Sequence, residues 1–312
     1  FPHPTHIETL LTAWRRAVGK REPDLKSLYM APLTLTRMAQ GGLYDHLAGG
    51  FFRYSVDRHW AIPHFEKMLY DNAALITVFA DAHAATGEDL FGRVAAETAD
   101  WVIRDMQHAN GGYYATLDAD SEGEEGKYYL WTPAEAQATL DPSELMVSGE
   151  HFGLTGEPNF EGKSWHLQVR TSLDALDKEV TTEEAAKLLT SARGKLLAAR
   201  EKRVSPGRDE KVLVAWNGLM IRAMARAARH LDRADLVASA TRAVDFIRTK
   251  MWNDGRLLAS YKDDRARFPA YLDDYAFLAE GLLELLQLSL IHISEPTRPR
   301  LLSYAVFCLK KK

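Results

Sequence analysis

Apolar residues recur at helical spacing in segment after segment of this 312-residue chain, and nearly all the connections between those segments are short. Helices joined by short loops are forced to lie as antiparallel neighbours, so the pattern predicts an all-α stack of helical hairpins. Ile7, Leu10, Leu11 and Trp14 mark a helix over Thr5 to Ala17, and a shorter helical segment spans Leu33 to Gln40 before GGLYDHLAGG breaks it. Pro63 occupies what reads as a first-turn position, predicting a helix from Pro63 to Ala85 that Gly87 stops. Further helices are expected over Asp89 to Met106, Pro133 to Thr139, Pro142 to Phe152, Thr181 to Arg200, Val212 to His230, Arg233 to Met251 and Leu272 to Leu288.

One stretch departs from that period. Between Gly111 and Thr132, two Tyr-rich runs flank an acidic, glycine-containing turn, which reads as a β-hairpin inserted between helices. No run of about 18 apolar residues is present to suggest a membrane span.

The segment Ser289 to Lys312 is Pro-broken and basic, has no helical or strand period, and resembles a translated sequencing adapter, so it is set aside from fold reasoning. Its other reading is a native basic tail for an acidic partner. Without it the chain carries 34 basic and 42 acidic residues, a formal charge of −8, which argues against a nucleic-acid footprint. Cys308 lies in the same segment and is the only cysteine, so residues 1–288 offer no disulfide, CxxC or thiolate-metal chemistry.

Longer motifs carry a resemblance. TLTRMAQGGLYDHLAGGFFRYSVDRHWAIPHFEKMLYDNA (Thr34 to Ala73) is similar to the signature of the spermatogenesis-associated protein 20 family of thioredoxin-domain-containing proteins, and GGYYATLDADSEGEEGKYYLWT, FGLTGEPNFEGKSWHL, KVLVAWNGLMIRA and YLDDYAFLAEGLLEL match it in order. The resemblance covers Phe1 to about Leu288. It implies an N-terminal thioredoxin-like domain, expected to precede Phe1, and a helical toroid of the (α/α)6 type, related in fold to sugar 2-epimerases and six-hairpin glycosidases. Residues 1–288 would then be a partial, incomplete toroid with a small β-hairpin insertion. Departures from the family pattern are Ala48 for Gly and Phe52 for His in LAGGFFRY, and Glu210 where DDK reads DEK. Any role of that histidine in relatives does not transfer.

The residues themselves suggest acid–base chemistry. On a helix from Pro63, the side chains of His64, Lys67 and Asp71 would share one face, flanked by Glu66 and Tyr70, and could line one wall of an axial cavity. The bland reading makes His64 and Glu66 helix-start residues favoured by the dipole. The preceding glycine-rich loop brings Tyr44, Asp45, His46, Arg53, Tyr54 and Asp57 together. DADSEGEEG places Asp118, Asp120, Glu122 and Gly123 at calcium-loop positions, but Tyr129 falls where a bidentate Glu is needed, so an acidic carbohydrate-facing or structural hairpin is the better reading. Asp118 or Asp120 could then act as acid or base. Trp216 and Asn217 pair an aromatic ring with an amide, as sugar sites do, while core packing is the plain alternative; Asp273 and Asp274 sit at a helix start, where capping is the alternative.

Together these make His64, Asp71, His46, Asp118 and Asp120 the catalytic candidates. Tyr44, Asp45, Arg53, Glu66, Lys67, Tyr70, Trp216, Asn217, Asp273 and Asp274 are the substrate-binding candidates. The expected activity is carbohydrate isomerisation, epimerase-like, or glycoside hydrolysis, with a sugar as ligand and with no cofactor, metal, nucleic acid or membrane involved. The competing expectation is a non-catalytic toroid that works with the thioredoxin-like domain in redox or protein quality control. A cytoplasmic location goes with either.

Overall fold

A computed structural model of the chain describes residues 1–20, 22–176 and 180–291, with side chains to Leu288. The tail set aside on sequence grounds lies outside the described residues from position 292 onward; its first three residues continue the backbone of the last helix. The ten α-helices among the described residues are α1 (Pro4–Ala17), α2 (Leu25–Gln40), α3 (Leu69–Thr86), α4 (Asp89–Trp101), α5 (Pro133–Thr139), α6 (Pro142–Phe152), α7 (Thr182–Arg200), α8 (Val214–Leu231), α9 (Ala234–Lys250) and α10 (Leu272–Ile291). The chain divides into two compact units, one boundary falling within α2.

The first unit comprises residues 1–2, 36–67 and 117–207. Its helices α5, α6 and α7 each begin on a capping residue, Thr132, Asp141 and Thr181. Thr132 and Glu135 form a reciprocal capping box at the start of α5, and Glu144 reaches back to the Asp141 N–H at the start of α6. α5, α6 and α7 close over a core in which Leu140, Val147, Phe152, Leu189, Ala192 and Leu196 pack around Trp131 and Trp165. The two tryptophans exchange backbone hydrogen bonds of 2.9 and 2.7 Å, which fixes one loop against the other.

The second unit comprises residues 3–35, 68–116 and 208 onward. α8 is its centre and packs against α3, α9 and α10. Its sequence suits that position, because Gly218, Ala223, Ala225, Ala227 and Ala228 let neighbouring backbones come close. A Cβ on Gly218 would stand 2.5 Å from the backbone of Phe277 and Leu278, and one on Gly281 would stand 2.6 Å from the Gly218 carbonyl. α8 and α10 therefore meet through a pair of glycines. α3 is buried along most of its length, by Leu75, Ile76, Val78, Phe79 and others, and α4 packs beside it before ending in a π-turn at Val102–Met106.

Three expectations need correction. Pro63 does not start a helix: Pro63–His64 pairs antiparallel with Tyr54–Ser55, and α3 begins only at Leu69. The cause is non-local, because the Asp57 carboxylate accepts the N–H groups of His59, Ala61 and Ile62, bending the chain back so that residues 53–55 find partners in 62–66. The acidic hairpin is also smaller than expected. Only Asp120–Ser121 and Glu124–Glu125 pair, across a turn in which Glu122 (φ 54°) and Gly123 (φ 78°) both have the positive φ of a type I′ turn. Finally, α2 starts at Leu25 and runs through Pro32, with the Asp24 carboxylate accepting the Ser27 N–H at 3.0 Å as an N-cap does.

A second hairpin had no counterpart in the sequence reading. Arg256–Lys262 pairs with Arg265–Pro269 across Asp263 and Asp264, both at positive φ, and its first strand also pairs with Val212–Leu213 just before α8. Asp tolerates the left-handed region better than most residues, which suits the pair to this turn.

Candidate functional site

The first unit holds a buried charge centre. Asp45 lies in the loop Gly41–Gly50, which closes on itself through Asp45 N–H to Gly50 O and Gly49 N–H to Asp45 O. Gly42 is obligatory there, since a Cβ would fall 2.0 Å from the Ala61 carbonyl oxygen, and Gly49 and Gly50 both take φ 81°. Arg200, at the end of α7, donates to both oxygens of Asp45 at 2.9 and 3.0 Å, and Lys67 Nζ donates to Oδ2 at 2.8 Å and to the Gly49 carbonyl at 2.9 Å. Lys67 is 1% exposed and lies over the rings of Phe52 and Tyr129, at 5.0 and 5.4 Å from their centroids. Burial alone would raise the Asp45 carboxyl; Arg200 and Lys67 outweigh it and hold it well below the usual carboxylate range.

Two buried histidines flank this centre. His46 Nε2 bonds the Gly41 carbonyl at 2.9 Å and His166 Nε2 the Gly42 carbonyl at 2.7 Å. Burial pushes their pKa down, to about 3 for His46 and about 4 for His166, so both are neutral at physiological pH. Tyr44 is equally deep, at 1% exposure, with its ring beside His46 and Phe51.

Lys67 is the inward end of an extended segment in which Phe65 is buried while His64 and Glu66 face the other way and are partly exposed. His64 Nδ1–H donates to Glu125 Oε1 at 2.6 Å, and the same oxygen accepts the Phe65 N–H at 3.3 Å. The other ring nitrogen, Nε2, stands 3.8 Å from Glu66 Oε2, beyond hydrogen-bond range, while Arg53 Nη1 donates to that oxygen at 2.7 Å. The Tyr54 ring stacks on the imidazole with centroids 4.9 Å apart. His64 is 26% exposed and Glu125 46%, so this cluster is open to solvent where the charge centre is not. A carboxylate on Nδ1 fixes the tautomer and presents Nε2 as a proton acceptor.

A cleft of about 850 Å³ opens beside it, with Glu125, Tyr128 and Phe160 among its walls. Among the described residues no group of three or more His, Cys, Asp or Glu side chains is placed to hold a metal ion.

The remaining candidates are distributed otherwise. Because the helix begins at Leu69, the shared helical face of His64, Lys67 and Asp71 does not exist: His64 is on an extended edge, Lys67 is inside the first unit, and Asp71 is in the first turn of α3 in the second. Asp118 and Asp120 are exposed on the acidic hairpin. In the second unit the Tyr70 and Trp216 rings meet at 4.8 Å, both half-buried. Asn217 is fully buried, and its amide bonds the N–H and carbonyl of Tyr113 and the carbonyl of Leu213. Asp274 accepts the Ala215 N–H of α8 and the Tyr271 N–H at the start of α10, tying two helix N-termini together, and burial raises its pKa. Asp273 is exposed.

The sequence reading missed Arg200, Glu125 and His166. Arg200 looks like any basic residue in a last helical turn. Glu125 stood in the acidic hairpin that had been singled out as a whole, and His166 in the motif KSWHL, where only long-range pairing gives either its partner.

No family model matches the chain. Solved structures of the same fold exist: the unsaturated glucuronyl hydrolase from Bacillus sp. GL1 (TM-score 0.54, 15% identity, 97% of this chain and 59% of that one) and an unsaturated glucuronyl hydrolase specific for heparin (TM-score 0.50, 11% identity, 92% and 54%). The helical hairpins are thus those of an (α/α) toroid. Within that class the chain is a member of the spermatogenesis-associated protein 20 family, 36% identical over 325 aligned residues to the mouse protein and 34% over 326 to the human one, in each case across 93% of its own length. It spans 41% of the length of those relatives. No helix among the described residues is long and apolar enough to cross a membrane.

Proposed function

We propose that this toroid acts on carbohydrate through His64, with Glu125 orienting the imidazole and Glu66 and Arg53 completing the site. The observation that carries the reading is the His64–Glu125 contact of 2.6 Å in a solvent-open position, with a carboxylate held by arginine on the other side of the ring. Epimerase-like isomerisation needs a base at a sugar C–H and glycoside hydrolysis needs a proton donor at the bridging oxygen; one imidazole that exchanges its Nε2 proton serves either. Tyr54 supplies an aromatic face beside the ring. The toroid fold supports this reading, because the two solved neighbours are by name glucuronyl hydrolases. Asp71, Asp118, Asp120, His46, Tyr70 and Trp216 enter no step of this reading.

The test is a panel of mono- and disaccharides incubated with the protein in D₂O and followed by proton NMR. Hydrolysis gives new anomeric signals and isomerisation exchanges a ring C–H for deuterium. Either change, absent in His64→Gln, supports the reading. Binding without turnover selects the competing account, a non-catalytic sugar-binding toroid partnered by a thioredoxin-like domain. Neither binding nor turnover rejects a carbohydrate role.

A further inference from the structure

Building on the carbohydrate reading of His64, we infer that the cleft beside Glu125 is an extended subsite for neutral oligosaccharides, with Phe160 as its stacking platform. Glu125 belongs to both places: its carboxylate accepts from His64, and the residue forms part of the cleft wall. A chain lying in the cleft therefore reaches the residue that orients the imidazole.

The cleft volume of about 850 Å³ lies toward the upper end for single-ligand pockets and exceeds what one sugar ring requires. Its charges nearly cancel, with five carboxylates against four cations along the walls. Arg203 and Lys127 are already engaged by Glu135 and by Glu122 and Glu124. A polyanion would meet those carboxylates with no cationic excess to offset them. A neutral polyhydroxy ligand finds donors and acceptors of both kinds.

Phe160 is suited to hold such a ligand. It is half-buried, its backbone is pinned to Ser164 by bonds in both directions, and its ring makes a T-shaped contact with Phe65, centroids 5.9 Å apart. Phe65 in turn donates its N–H to Glu125. The platform and the group that orients His64 are therefore linked through Phe65, two contacts apart.

Titration calorimetry of the whole chain with a neutral trisaccharide series (cello-, malto- and mannotriose), the matching monosaccharides and trigalacturonate tests this. At least one neutral trisaccharide should bind ten or more times tighter than its monosaccharide and than trigalacturonate, a comparison that needs no variant. Phe160→Ala should bring that trisaccharide to within about threefold of the monosaccharide, and Phe160→Tyr should restore it. Equal affinity for mono- and trisaccharide, preference for trigalacturonate, or an unchanged trisaccharide affinity in a folded Phe160→Ala would overturn the inference. In any of those cases, turnover of a short sugar that His64→Gln abolishes would leave the His64 reading standing; no saccharide bound at all would remove both.

Discussion

Arg200 and Asp45, 155 residues apart, meet through two parallel hydrogen bonds with only 3% of either side chain exposed. Lys67 joins the same carboxylate, so two buried cations share one anion. Such an arrangement costs desolvation, offset by the bonds that Asp45 accepts from both cations and from the Leu47 and Ala48 N–H groups.

The two cations make the consequences of substitution unequal. Lys67→Met leaves a neutral Arg200–Asp45 pair and places a flexible apolar side chain over Phe52 and Tyr129. Asp45→Asn leaves two buried cations facing an uncharged amide. Asp45→Asn should cost about 3–5 kcal/mol or prevent folding, and Lys67→Met distinctly less. Chemical denaturation of both variants checks the order; equal losses would show that the charge count is not what matters.

Acid should weaken the first unit through its two buried histidines. Their pKa values, about 3 and about 4, lie below the unfolded value of 6.5, so between those limits the unfolded chain binds protons that the folded one refuses. The stabilisation is complete above pH 6.5 and declines as pH falls toward 4 and 3, by about 2 kcal/mol for each histidine at pH 5. Melting curves of the wild type and of His166→Gln from pH 7.5 to 5 should converge as the pH drops. Parallel curves would mean that His166 already takes a proton in the folded state.

The glycine pair between α8 and α10 sets the spacing of the second unit. Gly218→Ala should lower stability by roughly 1–3 kcal/mol or more, because the atoms its Cβ meets at 2.5 Å are backbone and cannot swing aside. A thermal melt within error of wild type would show that α10 shifts freely.

α10 carries an exposed stripe on the face away from α8, with Leu272, Ala276, Ala279 and Leu283 at helical spacing, and Tyr271 and Tyr275 exposed near its start. A helix apolar on both faces is usually covered on both. Sedimentation velocity should show concentration-dependent self-association that Leu272→Lys with Leu283→Lys suppresses. A monodisperse wild-type monomer at high concentration would contradict this.

How much of this was legible in the sequence depended on the range of the interactions involved. α5 and α6 begin and end where their prolines and caps say, because an N-terminal Pro and a Glu two or three residues later act within one turn. The toroid class followed from long motifs taken in order. The reading of Pro63 failed because a proline at a helix start and a proline on a strand edge look alike locally; pairing with Tyr54–Ser55 and the turn around Asp57 decide between them. At the site, Asp45 and Arg53 were named from a loop rich in polar groups, and His64, Glu66 and Lys67 from the start of a helix that in fact begins only at Leu69. Their division into a buried centre and an open cluster was not legible, since it depends on Arg200 arriving from α7 and Glu125 from the acidic hairpin.

The most direct measurement is the rate of sugar turnover by His64→Gln and Glu125→Gln relative to the wild type, on whichever substrate the D₂O panel identifies. A general acid or base contributes about 10²–10⁴-fold. His64→Gln should therefore lose at least about a hundredfold in kcat with KM nearly unchanged, and Glu125→Gln a smaller factor, because it disturbs the imidazole's tautomer while leaving the ring in place. Wild-type kcat in His64→Gln, or loss appearing in KM alone, would contradict a catalytic role for the imidazole.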